Sequence, residues 1–330
     1  QPKHKYLKSH KMGIRSTNSI QSFFDDFFQS GDLEVAGPAS VPLSVTGGNT
    51  SYVYNGKKIH VWTSPGPFVV TGGPDSLEYF VVAGGGSGGA DMGGGGGGGG
   101  VLTGSITLTG PFSTTVTIGP GGTAQSRGSA TPDAAKGSNS VLNNPVTTVT
   151  AFGGGFGQGD TDPDSDFAAE ANIGSGGGGY GQGHPNAGGP ATNYPGPTQQ
   201  GTPGYTTVSP NKGGGGGGAG APAHSTSDPQ QDGGYGLAIP TTFRDSSNPY
   251  GGPRNPSQTA ITGNFYFAGG GGGGNPSSAD AWGGGGSNTN PPAESGSANT
   301  GGGGAGGPGA GGNPGGNGGT GIVFVSYTPA

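Results

Sequence analysis

The chain has 330 residues, among them 84 glycines and 29 prolines, and its formal net charge is −6. Hydrophobic residues make up only 27% of the sequence. That is too few for the Val-, Ile- and Leu-rich strands of a doubly wound sheet or a TIM barrel, so these enzyme architectures are excluded. A disordered chain usually carries more net charge for its length. The composition therefore favours an ordered glycine-rich protein whose interior contains few apolar side chains.

Further classes are excluded by what the sequence lacks. There is no cysteine, which removes disulfides and thiolate metal sites. No apolar stretch approaches 18 residues, so we expect no membrane insertion. Five of the twelve basic residues lie in the first 15 positions, but no apolar segment follows them, so we expect no secretory signal there.

Residues 1–50 form a leader with an aromatic stripe. On a short helix, capped by Asn18 or Ser19, the side chains of Phe23, Phe24, Phe27 and Phe28 would share one face. Such a stripe packs either on its own chain or on another protein. We favour docking into a larger assembly, because little apolar sequence lies nearby to cover the rings. A membrane anchor is less favoured, since the stripe is short and flanked by acids.

Residues 51–152 carry the signals of a β-rich module. Tyr52 to Tyr54, then Asn55-Gly56, then Lys57 to Trp62 is typical of a hairpin with a type I′ turn. Further short strands are predicted at 68–71, 77–82, 101–102, 106–108, 114–118, 141–142 and 146–152. A lone apolar strand at 321–327 must find a backbone partner. We expect it to lie beside residues 77–82, which would build one small module from both ends of the domain.

Glycine runs dominate residues 153–320, and a first run precedes them at 93–100. Laid side by side as polyglycine II helices, such runs can approach closely and hydrogen-bond laterally. The predicted fold is therefore mainly β and irregular. It comprises a docking leader (1–50), a β-rich module (51–152), a polyglycine II bundle with long loops (153–320) and a closing strand (321–330). The alternative for the runs is a flexible linker.

The two ends of this domain resemble those of a known protein family. Residues 59–73 (IHVWTSPGPFVVTGG) and 78–86 (EYFVVAGGG) resemble the opening of glycine-rich domains of bacteriophage tail-fibre and adhesin proteins. The likeness continues through 99–104, 115–122 and 137–141 and closes at 318–327 (GGTGIVFVSY). The resemblance covers residues 59–327. Its motifs are specific at the two ends and less specific between them. The chain is similar to tip adhesins of T-even-like phages, which implies a sandwich of polyglycine II helices carrying variable receptor-binding loops.

Sequence motifs for catalysis and nucleic-acid binding are weak. Gly84, Gly86 and Gly89 match a dinucleotide fingerprint, but a glycine run follows where that fingerprint needs a helix. There are only four arginines and no RGG repeats, so we expect no nucleic-acid partner. No nucleophile or general acid–base pair is indicated by spacing. We therefore predict a non-enzyme without a cofactor.

One acidic cluster is a weak candidate for Ca²⁺. Its alternating carboxylates are Asp160, Asp162, Asp164 and Asp166. A helix–loop–helix calcium site would need glycine at 165 and glutamate at 171, and neither is present. A solvated turn is the favoured interpretation. His60, His184 and His224 lack the spacing of metal ligands.

Aromatic residues between the glycine runs are the receptor-binding candidates. They sit among Pro, Asn, Ser and Gln, a composition typical of recognition surfaces. The candidates are Tyr180, Tyr194, Tyr205, Tyr235, Phe243, Arg244, Tyr250 and Trp282. An equally weighted alternative is that these rings cap the glycine bundle and shield it from water. The sequence around Phe265 to Phe267 indicates packing, whereas the stretch from Tyr235 to Tyr250 indicates a display loop. If so, a triple alanine variant at Tyr235, Phe243 and Tyr250 should lose cell binding without loss of thermal stability.

Together these features predict a phage tail-fibre or appendage adhesin located on the virion. Its expected partners are other virion proteins, through the leader, and a host surface glycan or outer-membrane protein. The copy number stays open between a homotrimer and a single chain on a trimeric shaft. A structural appendage or capsid-decorating fibre is the first alternative, and an ice-binding protein is a less favoured second.

Overall fold

The computed structural model describes most of the chain from residue 41 onward. The described residues are 41–73, 75–124, 126–128, 134–160, 172–181, 200–205, 211–223, 232–248, 250–256, 258, 261–274, 281–288, 292–309 and 311–329. The predicted helix with Phe23, Phe24, Phe27 and Phe28 lies outside them. Within the described part, no helix has the length and apolar composition needed to cross a bilayer.

Twelve antiparallel strands and one short 3-10 helix make up the regular structure described. In chain order they are β1 (Ser44–Gly47), β2 (Thr50–Tyr54), β3 (Lys57–Trp62), β4 (Gly66–Thr71), β5 (Asp75–Val82), β6 (Val101–Leu108), β7 (Phe112–Thr117), β8 (Ser140–Asn143), β9 (Thr148–Ala151), β10 (Leu237–Ala238), the 3-10 helix (Thr241–Phe243), β11 (Tyr266–Phe267) and β12 (Ile322–Tyr327). Sheet one has the order β1-β4-β7-β8-β9, sheet two has the order β2-β3-β12-β5-β6, and β10 pairs with β11.

The predicted hairpin is confirmed. β2 and β3 pair with Tyr54 opposite Lys57, and the two turn residues have φ of 48° at Asn55 and 75° at Gly56. Positive φ at both central positions is the geometry of a type I′ turn, which Asn and Gly adopt most easily. The Asn-Gly pair therefore sets the register of these two strands.

The return of the C-terminal strand is also confirmed. β12 lies in the centre of sheet two, with Ile322 opposite Val82 on β5 and Val323 opposite Trp62 on β3. All six residues of β12 are buried, which agrees with its almost continuous apolar sequence. A strand covered on both faces needs no polar alternation.

Several elements differ from the sequence-based prediction. β1 begins at Ser44 and pairs with β4, although this stretch was predicted to belong to the leader. Two predicted strands at 101–102 and 106–108 form one strand, β6, because all eight residues from Val101 to Leu108 pair with β5. β10 and β11 were not predicted, since two-residue strands carry too little pattern to be recognised.

Sheet two separates two hydrophobic clusters. The first core cluster lies between the sheets and contains Phe68 and Val116 of sheet one with Trp62 and Val323 of sheet two. The second core cluster lies on the other face of sheet two. There Ile59 and Phe324 meet side chains from the later chain, namely Ala219, Ile239, Phe243, Phe265, Phe267 and Ala268. Neighbouring residues of β12 thus enter different clusters, as strand alternation requires.

Glycine-rich segments pack side by side beyond the sheets. Every backbone N–H from residue 94 to residue 100 donates to a carbonyl of another segment, at 2.7–2.9 Å. Residues three apart use the same neighbour, so that Gly94, Gly97 and Gly100 donate to Gln158, Gly155 and Phe152. Counting donors and acceptors together, six segments surround 93–100: residues 83–89, 152–158, 175–178, 214–217, 271–274 and 301–304.

Glycine is required in this region because neighbouring backbone segments lie very close together, and not because the backbone adopts a left-handed conformation. A Cβ added at Gly96 would overlap the carbonyl of Gly86, and one at Gly94 would overlap the carbonyl of Gly178. Neither residue has a positive φ. The segments approach so closely that only a hydrogen fits between them, and backbone groups thereby form the interior.

Candidate functional site

Two of the predicted receptor-binding residues are buried. Tyr180 is 3% exposed and Phe243 is 2% exposed. Phe243 packs against Phe324 in the second core cluster, with ring centroids 5.7 Å apart. The packing interpretation fits these two rings and the display interpretation does not. The triple alanine variant would therefore lose stability, since Phe243→Ala alone should cost about 3–5 kcal/mol.

The remaining described candidates are half-buried. The Tyr205 carbonyl accepts a hydrogen bond from the Gly179 N–H, and the Tyr235 carbonyl accepts from Gly220 and Ala221. Arg244 donates its Nε hydrogen to the Ile239 carbonyl at 2.6 Å. The Trp282 carbonyl accepts from the Gly285 N–H, and Tyr194 lies outside the described residues. These contacts place most of the set within the scaffold.

The packing prediction for residues 265–267 is confirmed. Phe265, Tyr266 and Phe267 are all buried, and Phe267 stacks edge-to-face on Phe80 at 5.3 Å. Phe265 and Phe267 belong to the second core cluster, so these two rings help to cover that face of sheet two.

A different group of residues comes together at the edge of sheet two. Tyr52 and Tyr54, both on β2, and Tyr250 all pack, partly buried, against the second core cluster. The Tyr250 ring meets the Phe324 ring edge-to-face at 5.6 Å. We call Tyr52, Tyr54 and Tyr250 the tyrosine patch. Strand alternation already places Tyr52 and Tyr54 on one face, but only the tertiary structure brings Tyr250 to them.

Charged groups border the tyrosine patch. Lys57 Nζ forms an ion pair with Glu78 Oε1, and Thr242 Oγ1 donates to Glu78 Oε2 at 2.6 Å. Although partial burial of Glu78 opposes ionisation, these hydrogen bonds hold the pKa of its carboxyl below the ordinary value. Glu78 is therefore a carboxylate at neutral pH and ties the 3-10 helix to sheet two.

Asp245 lies beside the same patch. Its carboxylate accepts hydrogen bonds from Asn248 Nδ2 at 2.8 Å and from the Ser247 N–H at 2.9 Å. These two donors lower the pKa of the Asp245 carboxyl. Burial, together with the nearby negative charge of Asp245, raises the pKa of the Tyr52 phenol. Tyr52 thus stays a neutral hydroxyl beside an ionised carboxylate.

A second polar cluster lies at the turn that precedes residues 93–100. Asp91 accepts the backbone N–H groups of Gly311 and Gly312 at 2.9 and 2.6 Å, and its other oxygen pairs with Arg127 at 3.3 Å. Arg127 also pairs with Asp160. We call Asp91, Arg127 and Asp160, together with Tyr180, the aspartate–arginine network. It connects glycine segments that are far apart in sequence.

This network bears on the predicted Ca²⁺ candidate. Asp160 uses one carboxylate oxygen for Arg127 and the other for the Tyr180 hydroxyl, which donates at 2.6 Å. Burial, followed by this hydrogen bond, raises the pKa of Tyr180. Asp162, Asp164 and Asp166 lie outside the described residues. Among those described, no three His, Cys, Asp or Glu residues are grouped as metal ligands.

His60 is buried between the two sheets. It is 3% exposed, its Nδ1 hydrogen-bonds to the Gly47 carbonyl at 2.8 Å, and its ring stacks on Tyr327 at 6.1 Å. Nε2 has no hydrogen-bond partner within the described part of the chain. Burial lowers the pKa of His60, so the ring is held in its neutral form.

The comparisons with known proteins identify the family. No match to the chain was found among curated proteins. The family model of the glycine-rich domain matches residues 63–328, which takes in β4 to β12 and every glycine segment described above. It carries no information on phage tail fibres. By this match over most of its length, the chain belongs to the glycine-rich domain family.

Proposed function

We propose that the protein is a phage tail-fibre or appendage adhesin, a virion protein that recognises a host cell-surface receptor through loops carried on a glycine-built scaffold. The observation that carries this proposal is the hydrogen bonding of residues 93–100 to six surrounding segments. An interior held by backbone groups does not depend on the sequence of the connecting stretches, so those stretches can vary while the fold persists.

We further infer that the glycine segments are polyglycine II helices. The lateral hydrogen bonds with a repeat of three residues support this, since the polyproline II form has three residues per turn. At roughly 3.1 Å per residue, segment 93–100 would be about 25 Å long. A bundle of such helices is a rigid support of the kind that a receptor-binding tip needs.

The stretches between the segments are where we place receptor recognition. Residues 182–199 connect the segments that contain Gly181 and Gln200, and they include Tyr194. Gln200 itself is anchored, because its side chain accepts from the Phe152 N–H and donates to the Thr150 carbonyl. The proposed partners are a host glycan or outer-membrane protein at these loops and other virion proteins at the leader, predicted as residues 1–50. The two proposed assemblies are a homotrimer and a single chain on a trimeric shaft.

A structural virion appendage is the second candidate. One observation favours it: the described members of the predicted receptor set are buried or half-buried, and most have backbone or ring contacts within the scaffold. A protein that only decorates the virion would need the scaffold and no recognition loop.

Immunoelectron microscopy of candidate virions distinguishes the two. An antibody against residues 51–330 should label the distal ends of tail fibres if the protein is an adhesin, and purified protein should bind whole host cells. Label on the capsid or along the fibre shafts, without cell binding by the purified protein, would favour the structural role. Absence of label from every virion would overturn both.

A further inference from the structure

The tyrosine patch has the build of a ligand site. Tyr52, Tyr54 and Tyr250 rest on the second core cluster and remain partly exposed. Tyr250 is fixed from below by its edge-to-face contact with Phe324, and Tyr52 and Tyr54 are fixed by pairing of β2 with β3. The three rings therefore rest on a packed core and a paired strand, an arrangement that limits the entropy lost when a ligand stacks on them.

Two buried hydroxyl groups near the patch, Tyr52 Oη and Ser326 Oγ, have no hydrogen-bond partner in the described part of the chain. Tyr52 pairs with Ile59 across β2 and β3, and Ser326 pairs with Ile59 across β3 and β12, so all three side chains lie on one face of sheet two. An unpartnered buried hydroxyl is costly and rare in native proteins. Two of them on the same face indicate that a further polar group enters here.

The charges around the patch restrict what that group can be. Lys57 is already paired with Glu78, and Asp245 contributes another carboxylate. Lys57, Glu78 and Asp245 together carry a charge of −1, whereas the Nε hydrogen of Arg244, the chain neighbour of Asp245, is donated to the Ile239 carbonyl. Carboxylates accept hydrogen bonds from hydroxyl groups, and they repel anionic ligands such as sialylated or phosphorylated sugars.

We propose that the tyrosine patch binds a neutral pyranose sugar, with the apolar face of the ring against Tyr54 and Tyr250 and its hydroxyl groups toward Tyr52 and Asp245. This deepens the proposed function, on which it rests for the source of the sugar, a glycan on the host surface. Tyr52, Tyr54 and Asp245 are additions to the predicted receptor set, whereas Tyr250 belongs to it already. Phe243 contributes only from beneath.

The test uses the full chain on an array of neutral, sialylated and sulfated oligosaccharides, followed by saturation-transfer NMR with the best neutral ligand. Tyr54→Ala should weaken binding about three- to tenfold, as expected for one lost aromatic contact. Its control is Val53→Ala, at an exposed position on the opposite face of β2.

Tyr52→Phe is the sharper variant, because it removes one oxygen and keeps the ring. It should weaken sugar binding while thermal stability stays equal or rises slightly, since the lost hydroxyl leaves no described residue without its hydrogen-bond partner. Tyr79→Phe, on the other face of the same sheet, is its control and should leave binding unchanged. Unfolding midpoints of all variants identify any that fail to fold.

The outcomes separate this inference from the proposed function. If the wild type binds cells and neither Tyr54→Ala nor Tyr52→Phe reduces this binding, the sugar site is overturned and the adhesin role is unaffected. If both variants weaken binding of a neutral sugar, but immunoelectron microscopy finds no label on any virion, the sugar site is supported and the adhesin role is overturned. Preference for acidic glycans, or no glycan binding by the wild type, would also overturn the site.

Discussion

Gly96 illustrates at the residue scale what holds this protein together. Its N–H donates to Gly304 and its carbonyl accepts from Gly271, each at 2.8 Å. The side on which a Cβ would project is filled by Gly86. The residue contributes no side chain, and its value lies in allowing three neighbouring segments to approach the same point.

Replacing Gly96 with alanine should therefore destabilise the fold by about 3 kcal/mol or more, because neighbouring backbone must move apart. Guanidinium unfolding measures the loss. Gly110→Ala is the control, since a Cβ there meets no atom within 4 Å, and its cost should stay within about 0.5 kcal/mol. Equal unfolding midpoints for the two variants would contradict the close packing described here.

His60 makes stability depend on pH. Because burial lowers its pKa in the folded state, the unfolded chain binds a proton more readily between that pKa and about 6.5. Stability is therefore full above about pH 7 and falls as the pH decreases below it, by at most about 1.4 kcal/mol per pH unit. Urea unfolding of the wild type and of His60→Gln at pH 5 to 8 gives the unfolding free energy at each pH. This free energy should change less with pH in the variant. An equal change with pH in both proteins would disprove the assignment to His60.

At the scale of elements, β12 joins the two ends of the domain. It lies between β3 and β5, and its side chains enter both core clusters, with Val323 in the first and Phe324 in the second. The Asn55-Gly56 turn fixes β2 and β3 locally, but sheet two closes only when the distant strand is inserted. Loop-closure entropy must be overcome before those contacts form.

A chain ending at residue 320 should consequently lose cooperative unfolding. Removal of residues 328–330 is the matched control, since Thr328 and Pro329 are exposed and follow the last paired residue. Circular dichroism and limited proteolysis compare the two truncations. A native-like, protease-resistant 1–320 fragment would show that β12 is dispensable.

On the scale of the whole molecule, the scaffold and the connecting stretches should be separable. The segments that flank residues 182–199 are hydrogen-bonded to the run 93–100, as in the bond from Gly178 to Gly95, and to each other, as in the bond from Gly176 to Thr202. Their stability should therefore depend little on what connects them.

Replacing residues 182–199 with a Gly/Ser stretch of equal length should leave the melting temperature nearly unchanged and abolish binding to whole cells, if these residues carry the proposed recognition. A same-length replacement that retains Tyr194 and its immediate neighbours serves as the control. Full cell binding by the replaced chain would remove this stretch from the recognition surface. A large drop in melting temperature would contradict the separation of scaffold and loop.

The sequence alone determined the elements whose causes are local or compositional. Asn55-Gly56 specified its turn, the apolar run at 321–327 specified a strand that pairs beside residues 77–82, and the glycine runs indicated an interior made of backbone. Each signal lies within a few neighbouring residues, where conformational preference and burial pattern act directly.

Only the tertiary structure decided which side chains meet. Phe243 was predicted to be displayed, but it lies in the core. The prediction failed because neighbouring Pro and Asn residues indicate a loop backbone and do not show which side chains cover the ring. Tyr250 lies beside Tyr52 and Tyr54, and Arg127 between Asp91 and Asp160, through contacts that span long stretches of the chain. Glycine segments carry no side chains that could encode their neighbours in the sequence, so the order in which they pack, and hence the position of every candidate site, is fixed only by the folded backbone.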